Sequence, residues 1–140
     1  SKEGSVIYRT ANWADKEGNR QTYRCKGDKE IQIPMVVLVD MNSASAAEIL
    51  SGAIQDYGLG TLVGTTTYGK GIVQQVVPLT DGSAIKITIS SYYTPNGRNI
   101  HGTGIEPDIE CEFDGETYYN TEDHYDNQLE RAKEELRKQL

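Results

Sequence analysis

A continuous apolar run at residues 35–39, followed by a helical pattern and a second short apolar run, constrains the fold of this chain most strongly. Pro34 precedes the run Met-Val-Val-Leu-Val, which has the length and composition of a strand covered on both faces. From Ala46 onward, apolar residues recur at spacings of three and four, and Gly58 follows as a helix stop. Because Thr61–Gly64 has the pattern of the next strand, the three segments predict a βαβ unit with a parallel strand pair.

Two further strand pairs are predicted on either side of this unit. Residues 5–10 and 22–25 are strand-like and are separated by turn-forming residues at 15–19, which predicts an N-terminal hairpin. The second pair begins with a strand at 72–77, which an Asp-Gly turn follows. After the turn, Ile85, Ile87 and Ile89 alternate with polar residues, which predicts a half-buried strand. We therefore expect an α/β fold with a mixed sheet.

The end of the chain carries two contrasting patterns. Residues 111–125 are acidic and are predicted to be irregular. After them, Leu129, Ala132, Leu136 and Leu140 mark one apolar stripe, which predicts a C-terminal helix with mixed charges on its other faces.

Composition sets the class of protein and its partners. The 140 residues are 36% hydrophobic and 25% charged, which predicts one folded domain. A net charge of -7 argues against nucleic acid as a partner, since that affinity depends on clustered Lys and Arg. No apolar run approaches the roughly 18 residues that cross a bilayer, and the polar start is not a signal peptide, so membrane contact would need segments outside this chain.

The thiols and imidazoles do not predict a metal site. Cys25 and Cys111 lie far apart in the sequence, and His101 and His124 stand in polar surroundings, without the close paired spacing of a zinc site. We expect neither a metal nor a cofactor. Whether the two cysteines form a disulfide is left open by the sequence.

Ser45 is the first candidate for chemistry because it stands where the apolar strand ends and the helix begins. Backbone N–H groups of Ser45 and Ala46 at such a helix N-terminus suit the stabilisation of an oxyanion. Ser45 and Glu48 also fit a capping box, in which the serine only satisfies amides of the first turn. The local pattern alone leaves both interpretations open.

Lys70 is the candidate base, since it follows the βαβ unit and therefore returns to the sheet edge that carries Ser45. A lysine side chain ordinarily has a pKa of about 10.4 and needs a dry environment to be neutral at pH 7. For an isolated Gly-Lys-Gly, a solvated loop lysine is the more common explanation. Residues 64–71 also approach the phosphate-binding pattern G-x-x-x-x-G-K-[ST], but Gly71 replaces the required hydroxyl and a strand pattern follows, which argues against nucleotide binding.

Four motifs in order give the chain a family resemblance over residues 36–108. Residues 43–49 resemble the S-A-S-A-S-E-I stretch of the carboxyl-terminal processing peptidases of the S41 class, and residues 68–74 resemble their F-G-K-G-x-V-Q stretch. Residues 93–98 and 104–108 resemble the Y-T-P-x-G-R and G-I-x-P-D segments that follow. The resemblance implies a crotonase/ClpP-like core and a serine peptidase that cleaves polypeptides near their C-termini.

The resemblance also assigns roles to individual residues. It implies that Ser45 is the nucleophile, that Lys70 is its general base and that Gln74 orients the lysine. Ser43 is a weaker candidate, interpreted as a turn hydroxyl. His101 stands where relatives often carry glutamine, which argues against a serine and histidine pair.

Relatives in this family usually carry a PDZ-like module and a further strand and helix before residue 4. The resemblance therefore predicts that residues 1–140 are a single partial catalytic core, weakly active or inactive alone. It implies polypeptide C-terminal tails as substrate and an extracytoplasmic location in the cell envelope. A homo-oligomer or an activating partner is compatible with the sequence, as is a non-catalytic binding or scaffold domain in which Ser45 is only a cap.

Overall fold

The fold is mixed α/β in the computed structural model, which describes residues 3–12, 20–27 and 32–140. In those ranges the strands are β1 (Val6–Asn12), β2 (Arg20–Arg24), β3 (Val36–Val39), β4 (Thr61–Gly64), β5 (Ile72–Pro78), β6 (Ala84–Tyr93) and β7 (Ile109–Glu110). The helices are α1 (Ala46–Asp56), α2 (Gly115–Asn120) and α3 (Asn127–Arg137). No helix in these ranges has the length and apolar character needed to cross a bilayer.

The described strands form two separate sheets. One has the order β2-β1-β6-β5 with antiparallel pairs, and the other has the order β3-β4-β7 with parallel pairs. The predicted βαβ unit is confirmed as β3-α1-β4. The predicted mixed sheet is wrong, because antiparallel and parallel pairs are divided between the two sheets. The N-terminal hairpin is confirmed as β1-β2, while its predicted turn at 15–19 lies outside the described residues.

The core lies where α1 meets both sheets. Its buried members are Val39, Ile54, Leu62, Tyr92, Ile100 and Ile105. Helix α1 packs on β1 of the antiparallel sheet and on β4 of the parallel sheet. Its buried positions are Glu48, Ser51, Gly52 and Ile54, so the buried face of this helix is richer in polar and small residues than its apolar spacing predicts. The contact between the two sheets is therefore partly polar.

The β5-β6 hairpin differs from the sequence prediction. Ile85, Ile87 and Ile89 are 47%, 44% and 37% exposed, although their alternation predicts a half-buried face. Ile85 pairs with Val77, which is also exposed, so the apolar face of the hairpin is not covered within the described chain. One extra residue in β6 relative to β5 produces a register shift beside Gln74.

The segment after residue 108 is more regular than predicted. Strand β7 pairs with β4, and α2 forms because Asp114 caps it, accepting from Thr117 N–H at 2.9 Å and from the Thr117 hydroxyl at 2.6 Å. The expectation of an irregular tail over 111–125 is wrong for this short helix. The predicted C-terminal helix is confirmed as α3, which packs on β3 and β4.

Candidate active site

A tight turn carries the chain from β3 to Ser45. Asp40 accepts from the backbone N–H of Asn42 and of Ser43, each at 3.0 Å, and the Ser43 hydroxyl both donates to Asp40 Oδ1 and accepts from Asp40 N–H. The hydrogen bond from the Asn42 side chain is the largest influence on the pKa of the Asp40 carboxyl and lowers it. Ser43 is therefore a turn hydroxyl, as the sequence predicts.

Ser45 begins α1 in an unusual backbone conformation. Its φ of 57° lies in the region that favours glycine, which typically costs about 1 kcal/mol or more and has to be held by the surrounding structure. Ser45 N–H donates to Glu48 Oε2 at 2.9 Å, which is the Glu48 half of the predicted capping box, and Glu48 N–H donates to the Ser45 backbone carbonyl at 3.0 Å. Ser45 therefore begins the helix as a cap does, but in a backbone conformation that an ordinary cap does not need.

The two glycines beside Lys70 are required by close packing against the loop at 100–104. A Cβ on Gly71 would come within 2.7 Å of the His101 backbone nitrogen. Gly69 has a φ of +85°, and a Cβ there would come within 2.9 Å of the Gly104 nitrogen. The Gly-Lys-Gly pattern is therefore packed against a neighbouring segment, which a solvated loop would not need.

The Glu48 side chain is fully buried and joins the Ser45 turn to the Lys70 loop. Its Oε2 accepts from the backbone N–H of Ser45 and of Lys70, each at 2.9 Å. Its Oε1 accepts from the Thr67 hydroxyl at 2.6 Å and from Gly69 N–H at 2.7 Å. Four donors to one buried carboxylate compensate for its removal from water. One oxygen thus holds the backbones of Ser45 and Lys70 side by side.

Tyr92 joins the same two residues through their carbonyl groups. Its hydroxyl lies 3.2 Å from the Ser45 carbonyl oxygen and also makes a short hydrogen bond to the Lys70 carbonyl oxygen. Burial raises the pKa of the Tyr92 phenol, and the nearby Glu48 carboxylate raises it further, so the phenol stays protonated. We refer to these contacts of Glu48 and Tyr92 with Ser45 and Lys70 as the Glu48–Tyr92 clamp.

Ser45 and Lys70 line one cavity of about 760 Å³. Gln74 and a second lysine, Lys86, also line it, and its described lining contains no Asp or Glu. Tyr8 and Tyr23 form part of its wall, with ring centroids 4.3 Å apart and nearly parallel planes. Burial is the main cause that raises the pKa of the Tyr8 phenol. The lining of the cavity therefore combines a serine, two lysines and an aromatic wall.

The other predicted site residues have different positions. The Gln74 amide donates to the Thr88 hydroxyl at 3.3 Å across the hairpin. Ser45 N–H, one of the two predicted oxyanion donors, is hydrogen-bonded to Glu48, while Ala46 N–H is at the first helical position and has no acceptor within the helix. His101 lines a second cavity of about 590 Å³ together with Lys70 and Gln74.

Nucleotide binding is not supported at residues 64–71. The residues after Gly71 form β5, so no helix N-terminus is available there to bind phosphates. Cys25 and Cys111 are not joined by a disulfide.

Two residues of the site are not predicted from the sequence. The local pattern predicts Glu48 only as the partner of Ser45 in a capping box, and nothing in it distinguishes Tyr92. The S-x-x-E spacing is the available signal for Glu48, but its bonds to Thr67, Gly69 and Lys70 cross 19 to 22 positions of sequence and cannot be inferred from a local pattern.

Comparison with known proteins gives the same result at the level of family. The model of peptidase family S41 matches residues 3–111. A carboxyl-terminal-processing protease of Synechocystis is 42% identical over 106 residues, which are 76% of this chain and 24% of that protein. The protease CtpB of Bacillus subtilis is 46% identical over 96 residues, which are 69% of this chain and 20% of that protein.

A solved structure agrees with these sequence relatives. The photosystem II D1 C-terminal processing protease has a TM-score of 0.70 and 37% identity, with 80% of this chain and 28% of that chain covered. This chain spans about a fifth to a quarter of the length of the curated relatives it matches. With a family match over most of its residues and a matching fold, the chain belongs to peptidase family S41.

Proposed function

We propose that this chain carries the catalytic residues of a serine endopeptidase that cleaves polypeptides near their C-termini. Ser45 is the nucleophile and Lys70 is the general base. The observation that carries the proposal is that both residues line one cavity while Glu48 Oε2 accepts from both of their backbone N–H groups. Membership of the S41 family and the names of its carboxyl-terminal processing relatives support the substrate class.

In the proposed reaction, neutral Lys70 takes the proton of the Ser45 hydroxyl as the serine oxygen attacks a peptide carbonyl. The amine leaving group departs with the proton that Lys70 took, and water then hydrolyses the acyl-enzyme, with one water proton returning to the Ser45 oxygen. A correctly placed general base typically contributes about 10²- to 10⁴-fold to the rate. The described cavity lining contains no carboxylate that could form an ion pair with Lys70.

The oxyanion of this reaction needs backbone donors near Ser45. Ala46 N–H is the donor that we propose first, because the helix itself leaves it without an acceptor. Ser45 N–H can contribute only when its hydrogen bond to Glu48 is released. Gln74 is proposed to orient Lys70 by accepting from the lysine amine through its amide oxygen, since its bond to the Thr88 hydroxyl uses the amide nitrogen. Losing one oxyanion donor typically costs about 3 kcal/mol of transition-state stabilisation, so this part of the site strongly affects the rate.

The broader proposals rest on family membership. We propose a crotonase/ClpP-like core for the fold, polypeptide C-terminal tails as substrate and an extracytoplasmic location in the cell envelope. Some relatives in plants and algae are named as chloroplastic, including a protein of Tetradesmus obliquus. A homo-oligomer or an activating partner that completes the site is compatible with the proposal.

A non-catalytic scaffold is the second candidate. It is favoured by the hydrogen bond of Ser45 N–H to Glu48, since a residue that only begins α1 could make the same bond. In that case the reactivity of the Ser45 hydroxyl would not depend on Lys70.

A serine-directed phosphonate probe separates the two candidates in the full-length protein. We expect covalent labelling of Ser45 that Ser45→Ala abolishes and that Lys70→Ala slows by about 10²-fold or more, because the base is lost. Lys86→Ala and His101→Ala are matched controls, since they remove a second lysine of the same cavity and the alternative base. Labelling that is unchanged in Lys70→Ala would refute the Ser/Lys mechanism.

A further inference from the structure

Tyr92 contacts both proposed catalytic residues although it belongs to neither of their segments. Ser45 follows β3 of the parallel sheet, whereas Lys70 lies just before β5 of the antiparallel sheet. Tyr92 is on β6, the neighbour of β5, and is only 2% exposed. Its hydroxyl makes hydrogen bonds to the carbonyl oxygens of Ser45 and Lys70. The residue therefore connects the two sheets at the point where the site is formed.

The hydroxyl of Tyr92 complements the contacts that Glu48 makes with the same two residues. Glu48 Oε2 receives the N–H groups of Ser45 and Lys70, and Tyr92 interacts with the C=O groups of the same two residues. Each of the two residues is thus held at both its nitrogen and its carbonyl. A phenol has one proton, which the two carbonyl oxygens must share, so both carbonyls have to approach the same oxygen. That condition fixes the separation of the two backbones.

We propose that Tyr92 is a positioning residue of the peptidase site, whose hydroxyl sets the separation of Ser45 and Lys70 required for proton transfer. The inference rests on the proposed function of the Ser45 and Lys70 pair. Proton transfer needs the two side-chain atoms within hydrogen-bond reach, and a displacement of about 1 Å can cost about 10²-fold in rate. Without the Tyr92 hydroxyl, the two segments stay joined through Glu48 and through the hydrogen bond of Tyr68 N–H to the Ser43 carbonyl, but the carbonyl groups of Ser45 and Lys70 lose their common partner.

The ring of Tyr92 has a separate role that the experiment must exclude. It is part of the core with Val39, Ile54 and Leu62, so removing the whole side chain would also create a cavity. Tyr92→Phe keeps the ring and removes only the oxygen. Tyr57→Phe is the matched control, because the Tyr57 hydroxyl also donates to a backbone carbonyl, that of Val6 at 2.9 Å, but Tyr57 does not line the cavity of Ser45 and Lys70.

The test measures steady-state cleavage of an unstructured polypeptide and the rate of phosphonate labelling in the full-length protein. For Tyr92→Phe we expect kcat and the labelling rate to fall by about 10- to 100-fold with KM unchanged, since the loss affects geometry in the reaction rather than substrate binding. Tyr57→Phe is expected to keep both rates. Rates are expressed per folded molecule, with the folded fraction taken from circular dichroism.

A variant that restores a donor distinguishes positioning from packing. Tyr92→4-aminophenylalanine places an N–H donor where the hydroxyl was, and we expect it to recover most of the rate that Tyr92→Phe loses. Equal rates in wild type and Tyr92→Phe, equal losses in Tyr92→Phe and Tyr57→Phe, or no recovery with the amino variant would overturn the inference. In contrast, labelling that persists in Ser45→Ala or is unchanged in Lys70→Ala would refute the proposed function itself.

Discussion

Replacing Glu48 with glutamine tests how much of the stability of the protein depends on the Glu48–Tyr92 clamp. The substitution keeps the shape of the side chain but converts one carboxylate oxygen into an NH₂ group. Each oxygen accepts from two donors, so the amide nitrogen would face either Ser45 N–H and Lys70 N–H or the Thr67 hydroxyl and Gly69 N–H. With the nitrogen toward Ser45 and Lys70 two hydrogen bonds are lost, whereas with the nitrogen toward Thr67 and Gly69 only the bond from Gly69 N–H is necessarily lost, because the Thr67 hydroxyl can accept as well as donate.

The magnitude follows from burial and from the number of bonds. Glu48 is 0% exposed, so water cannot replace the lost acceptor. Leaving a buried donor unsatisfied costs about 1 to 3 kcal/mol, and we expect a loss of that size for Glu48→Gln because its less costly orientation leaves Gly69 N–H without an acceptor. That loss is a large fraction of the roughly 5 to 15 kcal/mol that typically separates folded from unfolded proteins.

Urea unfolding of wild type, Glu48→Gln and Glu122→Gln measures the effect. Glu122 is exposed and has no side-chain partner among the described residues, so its substitution should change the free energy of unfolding by less than about 0.5 kcal/mol. If Glu48→Gln lowers the free energy of unfolding by less than about 1 kcal/mol, the four hydrogen bonds do not contribute as the structure implies.

Two other predictions concern the loops that carry the pair. Gly71→Ala is expected to lower the labelling rate of Ser45 and the midpoint of thermal unfolding, because its Cβ would meet the His101 backbone at 2.7 Å. Gly27→Ala is the control and should change neither, because a Cβ there would meet no atom within 4 Å. Normal labelling in Gly71→Ala would contradict the close packing of this loop. Asp40 has a lowered pKa in the folded protein, so its hydrogen bonds stabilise the fold above the unfolded pKa of about 3.9 and are lost as the pH falls through the lower folded value. The difference in unfolding free energy between wild type and Asp40→Asn should therefore be constant near neutral pH and shrink in acid, and a difference that does not depend on pH would exclude this carboxylate as its cause.

Local patterns predicted the elements of this fold better than their assembly. The βαβ unit followed from an apolar run, a helical period and a glycine stop, all within residues 35–64. The division into two sheets depends on pairs such as Arg9 with Tyr93, which are separated by most of the chain. Periodicity gives which residues share a face but not which element covers that face, and for this reason the exposure of Ile85 and Ile87 was not predicted.

For the candidate site, the sequence identifies Ser45 and Lys70 but not the buried groups that hold their backbones, and the catalytic roles of the two residues stay predictions. Ser45 and Lys70 came from motif spacing, and the structure has both at one cavity. The occupation of Ser45 N–H by Glu48 could not be predicted, because it depends on where the carboxylate lies after the Lys70 loop has packed. Tyr92 is one of several tyrosines in the sequence, and only its burial and the direction of its hydroxyl distinguish it from the others.

The buried polar groups around the site also connect stability to geometry. Every buried side-chain nitrogen or oxygen in the described ranges has a hydrogen-bond partner, including Glu48, Ser51 and Thr67. A network of this kind is favourable only when it is complete, since one missing partner leaves another buried group unsatisfied. The hydrogen bonds of Glu48 to the backbones of Ser45 and Lys70 therefore contribute to folding. The same bonds, with that of Tyr92, hold Ser45 in its strained backbone conformation. A substitution that loosens this network should lower the stability of the fold and the reactivity of Ser45 together, whereas a change to the side chain of Lys70, whose backbone alone takes part in the clamp, should affect reactivity only.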